Sequence, residues 1–176
     1  LVSFEPKIGY RIAQHYNRRK RHLKMHVVHC ATVSKKGWFI NGFGHRATAF
    51  KSVADVLRFF EKNPPHVSAD NVICPDGTLI KYEPSHPTLS AEDVTFHHAR
   101  GSNSISKGSE LIRLYDEPED KQYSLDGYKT LAYEITADNL PWTTHEFLNP
   151  SQKTDPDNFN FELFDTLLTE NTPRIF

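Results

Sequence analysis

LKMHVVHCA, Leu23 to Ala31, is the stretch from which the fold can be read. Its short apolar run is β-branched and closes on His29, the pattern of a buried strand with one polar side chain at its end. Far downstream, THEFLNPSQKTDP (Thr144 to Pro156) places His145, Lys153 and Asp155 within eleven residues punctuated by Pro150 and Pro156. Such punctuation marks a loop.

A strand-end imidazole together with a loop imidazole and a loop carboxylate suits one small cation. Zinc takes nitrogen and oxygen donors at about 2.0–2.2 Å, and three protein ligands with one open position is the arrangement of a catalytic zinc. Lys153 then sits beside the metal. Cys30 follows His29 and so points to the opposite face of its strand, which removes it as a ligand. Cys30 and Cys74 both fall in expected core strands and read as small buried hydrophobes rather than a disulfide.

Four segments, in chain order, carry a family resemblance. VVHCA (Val27 to Ala31) looks like a first strand ending in a zinc histidine. VSADNVICPDGTL (Val67 to Leu79) looks like a hairpin whose apolar strand runs into Asp-Gly. FHHARGSNSISKGSEL (Phe96 to Leu111) combines a His-Ala-x-Gly loop with a Ser-x-Gly-x-Glu strand, and THEFLNPSQKTDP closes the series as a metal-binding loop. Together they resemble the zinc-dependent N-acetylmuramoyl-L-alanine amidases, which include phage endolysins, autolysins and peptidoglycan recognition proteins. The matched region runs from about Met25 to Leu168. Residues 1–24 lie outside it as a basic segment, and residues 25–176 are expected to form the catalytic domain.

The resemblance implies an α/β domain with a mixed central β-sheet flanked by α-helices, and a zinc site at the sheet edge in a cleft. It implies zinc held by His29, His145 and Asp155, Glu110 as general base, and Lys153 as the group that stabilises the oxyanion. It associates His98 and Asn103 with the substrate cleft, the substrate being peptidoglycan at the amide between the lactyl group of N-acetylmuramic acid and L-alanine. Two departures stand out. Ala69 occupies the position where some members carry a catalytic tyrosine, which shifts weight onto Glu110. Lys107 and Ser109 replace the usual apolar pair ahead of that glutamate. Two other readings remain open: a peptidoglycan-binding module without catalysis, and a phage protein that also binds nucleic acid or a polymerase.

The rest of the chain fits one enzyme domain. At 176 residues, with 38% hydrophobic and 12% aromatic residues, it can build a single core, and a net charge of -1 argues against a surface devoted to nucleic acid. No run approaches the roughly 20 apolar residues of a membrane span. A monomer is expected. The start has neither an initiator Met nor the apolar core of a signal peptide, so the chain is expected to begin inside a longer product or after processing. Ile8, Ile12 and Tyr16 recur at helical spacing and suggest a short amphipathic helix. Arg18, Arg19, Lys20, Arg21 and Lys24 form the strong charge cluster, either a solvated helix end or a patch for an anionic cell-wall polymer.

KKGWFINGFGHRATAF reads as a loop overhanging the cleft, with Trp38 and Phe43 available to stack on sugar or peptide. Ser52 and Asp55 cap a helix with Val53, Val56, Leu57 and Phe60 on its apolar stripe, ending before Pro64-Pro65. Asn71–Ile73 and Thr78–Tyr82 read as a hairpin turned by Pro75-Asp76-Gly77. Ser124 opens a helix with Tyr128, Leu131, Ala132 and Ile135 along one face, and Phe159, Leu163, Phe164 and Leu167 mark a last one. His97 and His98 are adjacent, so they face opposite sides.

Overall fold

Three parallel strands, laid side by side, position His29, Glu110 and His145. The computed structural model describes residues 4–62, 67–168, 172, 174 and 175. In chain order the elements are β1 (Ile8–Ala13), β2 (Asn17–Arg18), β3 (Met25–Val33), β4 (Trp38–Ile40), β5 (Arg46–Thr48) and α1 (Val53–Lys62). They continue as β6 (Asn71–Ile73), β7 (Leu79–Pro84), β8 (Val94–Thr95), β9 (Ser106–Leu114), α2 (Leu125–Asp138), β10 (Trp142–Thr144), α3 (His145–Leu148) and α4 (Phe161–Leu167). The main sheet has the order β1-β7-β6-β9-β3-β10. Only the β6–β7 pair is antiparallel, so the six-stranded sheet is mixed, as the sequence implies.

Each face of the sheet is covered by helix. On one side Ala31, Val33, Val72, Tyr82 and Ile112 pack against Val56 and Phe60 of α1. On the other, Val28, Ile73, Leu79 and Leu111 meet Leu131 and Ile135 of α2, Phe164 of α4, and Trp142. The period of two assigns side chains to these layers: His29 and Ala31 face the α1 side of β3, while His26 and Val28 face α2. Local signals act where they were expected. Ser52 accepts from the Asp55 amide at 3.1 Å and Ser124 from the Gly127 amide at 2.9 Å, and Gly77 holds φ +87° in the β6–β7 turn. α1 is described as far as Lys62; Pro64-Pro65 lie outside the described residues.

Three expectations are corrected. Ile8–Ala13 is not a helix but the edge strand β1, parallel to β7. A spacing of four satisfies both periods, and Ile8, Tyr10 and Ile12 in fact alternate with Gly9 and Arg11, so pairing with β7 decides for strand. The stretch before α1 is not an open loop but the antiparallel hairpin β4–β5. The third concerns Arg19, which is no solvated charge: its guanidinium donates to the carbonyls of Glu92 at 3.1 Å and Val94 at 2.8 Å, fastening β2 to β8. Arg18, Lys20, Arg21 and Lys24 are exposed.

The substitutions in SKGSE find their reason behind the sheet. Lys107 and Ser109 face α2, where Lys107 Nζ pairs with Glu134 at 2.6 Å and with Asp138 at 3.0 Å. Ser109 Oγ meets His26 Nε2 at 2.8 Å and accepts from Asn71 Nδ2 at 3.3 Å. An apolar pair at these positions would strand Glu134 as a buried charge, a costly arrangement. The polar layer stands in its place.

Candidate metal centre and cleft

β10, β3 and β9 lie next to one another and deliver three of the candidate side chains to a single place. His29 sits in the middle of β3 and not at its end as read from the sequence, because pairing with β9 carries the strand on to Val33; its register partner on β9 is Glu110, so both project from the same face. His145 is the first residue of α3, directly after β10, where the Thr144 side chain caps the turn by accepting from the Phe147 amide at 3.2 Å. Asp155 returns from the following loop. Its carbonyl accepts from the Glu146 amide at 2.9 Å, which closes the loop back onto the start of α3.

The three donors converge. His29 Nδ1 lies 3.0 Å from His145 Nδ1 and 3.0 Å from Asp155 Oδ2, and His145 Nδ1 lies 3.2 Å from that same oxygen. One ligand atom from each of His29, His145 and Asp155 falls within 4.8 Å of the other two. A tetrahedral ion with bonds of about 2.0–2.1 Å sets its ligand atoms roughly 3.3 Å apart, so this spacing fits zinc. His29 and His145 are buried, which keeps competing water from two of the ligands. Burial alone would raise the Asp155 carboxyl, but the His145 and then the His29 imidazole set against it outweigh that and hold the group well below the usual carboxylate range.

A cleft of about 910 Å³ opens over this cluster. Glu110, Lys153, His98, Asn103 and Phe43 all line it, so these residues stand together with the three donors. Burial, with the Asp155 charge adding to it and Lys153 opposing, raises the Glu110 carboxyl to about 8. Phe43, at 45% exposure, forms part of the rim.

One candidate is placed differently from the expectation. Trp38 does not line the cleft; its ring is covered by the Arg46 guanidinium at 4.3 Å, and the neighbouring Phe39 lines the wall instead. Strand parity sends the two to opposite faces, and a stretch read as a loop carries no parity. Asn103 commits its Oδ1 to the backbone, accepting from the His98 amide at 2.9 Å and the Ala99 amide at 2.7 Å. It holds the His-Ala-Arg-Gly loop in shape. His97 also lines the cleft, with its Nε2 2.8 Å from Asn17 Nδ2.

Sequence reasoning missed Asp157. Its Oδ1 accepts from the Gly42 amide at 2.9 Å and its Oδ2 faces Arg113 Nη1 at 3.7 Å, which joins the rim hairpin to the metal loop. The Thr-Asp-Pro-Asp run held the signal, two carboxylates at a spacing of two, but only one was needed for a metal.

No family model and no curated protein matches the sequence. The architecture, in contrast, recurs among solved structures. A selenomethionine derivative of AmpD aligns with a TM-score of 0.64 at 22% identity, over 94% of this chain and 97% of that one. The N-acetylmuramoyl-L-alanine amidase LysC from Clostridium intestinale URNW gives 0.52 at 17% identity, over 92% and 97%. Peptidoglycan recognition protein-LE, in complex with tracheal cytotoxin, gives 0.54 at 14% identity over 94% and 91%. The chain therefore has the fold that N-acetylmuramoyl-L-alanine amidases and peptidoglycan recognition proteins share.

Proposed function

We propose that the protein is a zinc-dependent N-acetylmuramoyl-L-alanine amidase, hydrolysing the bond between N-acetylmuramic acid and L-alanine in peptidoglycan. The observation that carries this reading is the register pairing of His29 with Glu110, which puts an acid–base group beside a His-His-Asp donor set in one cleft. A binding module needs no such group. The likeness in fold to an amidase supports the reading and the substrate class.

When bound at His29, His145 and Asp155, zinc supplies a water of lowered pKa and a Lewis-acid contact for the scissile carbonyl. Glu110 takes a proton from the attacking water and returns it to the departing L-alanine nitrogen. Lys153 faces the carbonyl oxygen as negative charge grows there. Phe39 and Phe43 offer apolar walls to the sugar or the stem peptide. The exposed cations Arg18, Lys20 and Arg21 fit an anionic cell-wall polymer.

The test is digestion of purified sacculi with the zinc-loaded protein. New amino termini on L-alanine without new reducing ends support the amidase reading; reducing ends without amino termini would make the protein a glycosidase.

A further inference from the structure

We infer that His98 is a positioning residue that fixes the tautomer of His29, leaving Nδ1 as the bare nitrogen turned toward the metal. The inference rests on the zinc reading above and assigns His98 a task other than holding substrate.

The direction of the hydrogen bonds sets the tautomer. Ser106 Oγ donates to the Ser102 carbonyl at 2.7 Å, and a carbonyl only accepts, so the single hydroxyl proton of Ser106 is spent there. That oxygen can then only accept from His98 Nε2, which lies 3.1 Å away and is also 3.3 Å from the Ser106 carbonyl. The proton of a neutral His98 therefore sits on Nε2 and its Nδ1 is bare. His98 Nδ1 in turn lies 3.0 Å from His29 Nε2, so His29 donates from Nε2 and keeps Nδ1 free. This is the nitrogen that faces His145 Nδ1 and Asp155 Oδ2. In the other tautomer His29 could not ligate through Nδ1, and His98 would turn a lone pair toward the Ser106 carbonyl.

The packing leaves the His98 ring little freedom. His29 is 2% exposed and His98 9%, so water does not compete for the chain. A Cβ on Gly108 would stand 2.3 Å from His98 Cγ, so the ring lies directly on the β9 backbone and only glycine admits it. Gly108 is itself pinned, donating to Asp70 Oδ2 at 2.8 Å and accepting from the Asp70 amide at 3.0 Å. The second nitrogen of a metal-bound histidine is usually held by a hydrogen-bond partner, and loss of that partner typically weakens metal affinity about 10–100-fold. Here the partner is a second imidazole, anchored on a carbonyl.

Two measurements test the assignment. In the metal-free, ¹⁵N-labelled parent protein, long-range proton–nitrogen spectra of His29 are expected to show a protonated Nε2 and a bare Nδ1. The opposite tautomer, or an average of both, would overturn the proposal. In metal titrations against a chromophoric chelator, His98→Leu is expected to weaken zinc binding about 10–100-fold. His98→Asn, which returns an acceptor near the Nδ1 position, is expected to recover most of that loss, with cobalt spectra like the parent's. Parent-like zinc affinity in His98→Leu, or equal losses in both variants, would contradict the role. A parent protein that binds no zinc contradicts the metal reading instead, and the tautomer spectrum still decides the hydrogen-bond chain.

Discussion

The Gly42 amide donates to Asp157 Oδ1 at 2.9 Å, so the rim hairpin is tied to the loop that supplies Lys153 and Asp155. No side chain fits at residue 42: a Cβ there would lie 2.9 Å from Asp157 Oδ1 and 2.9 Å from Thr154 Cβ. Gly42→Ala must push the hairpin and the metal loop apart. Displacement of about 1 Å near reacting groups can cost roughly 10²-fold in rate, so we expect turnover to fall toward that size with the melting temperature nearly unchanged. Steady-state kinetics beside a thermal melt check it, and unaltered kcat in a folded Gly42→Ala protein would show that the tie is only structural.

The metal set is tested by removing its members. His29→Ala and His145→Ala are each expected to lose bound zinc and activity, since two remaining ligands hold a catalytic ion poorly. Asp155→Cys keeps a zinc-compatible donor and is expected to retain metal. Elemental analysis of the purified variants decides, and full zinc in either alanine variant would remove that histidine from the set.

Glu110→Gln separates chemistry from binding. It keeps shape but accepts no proton, so activity is expected to drop about 10²–10⁴-fold with zinc retained. Lys153→Met is expected to cost about 10²–10³-fold, the usual worth of one oxyanion donor. Of the two other glutamates that sequence order brings near the site elements, Glu134 lies on the α2 side, paired with Lys107, and Glu146 is exposed. Near-parent activity in Glu110→Gln with zinc bound would remove Glu110 from the role of base.

Acidity gives a prediction of opposite sign at two carboxylates. Burial first, then Asp155, raises Glu110 from its ordinary value of 4.5 to about 8, so the metal-free protein loses stability as pH climbs through that window. Asp155 is held low, so its contribution persists above the ordinary carboxylate range and disappears only in acid. Buried Asp70, raised to about 6, contributes to the lower part of that window, so Glu110→Gln is expected to remove the decline between about pH 6 and 8 and to leave the acid limb in place. Melting curves recorded in chelator across pH test this, and parallel curves for parent and variant would contradict it.

What could be read in the sequence follows from how each signal arises. His29 and His145 were legible because a β-branched run and a proline-punctuated loop constrain backbone and side chain together. β1 was not, because a repeat of four residues serves helix and strand alike, and only β7, some seventy residues away, breaks the tie. β10 has three residues and becomes a strand only by pairing with β3. Trp38 was placed over the cleft because its stretch read as a loop, whereas hairpin parity turns Phe39 to the cleft instead. His98 was picked out by its neighbours in sequence, but its role depends on Ser106, Gly108 and His29, which the fold alone assembles.

The central claim is tested most directly by mass spectrometry of purified muropeptides after incubation with the zinc-loaded protein, with the Glu110→Gln protein as control. The account predicts free stem peptides beginning at L-alanine, glycan retaining an intact lactyl carboxylate, and neither product in the control. Intact muropeptides, or cleavage at any other bond, in a protein that holds zinc at His29, His145 and Asp155 would contradict it.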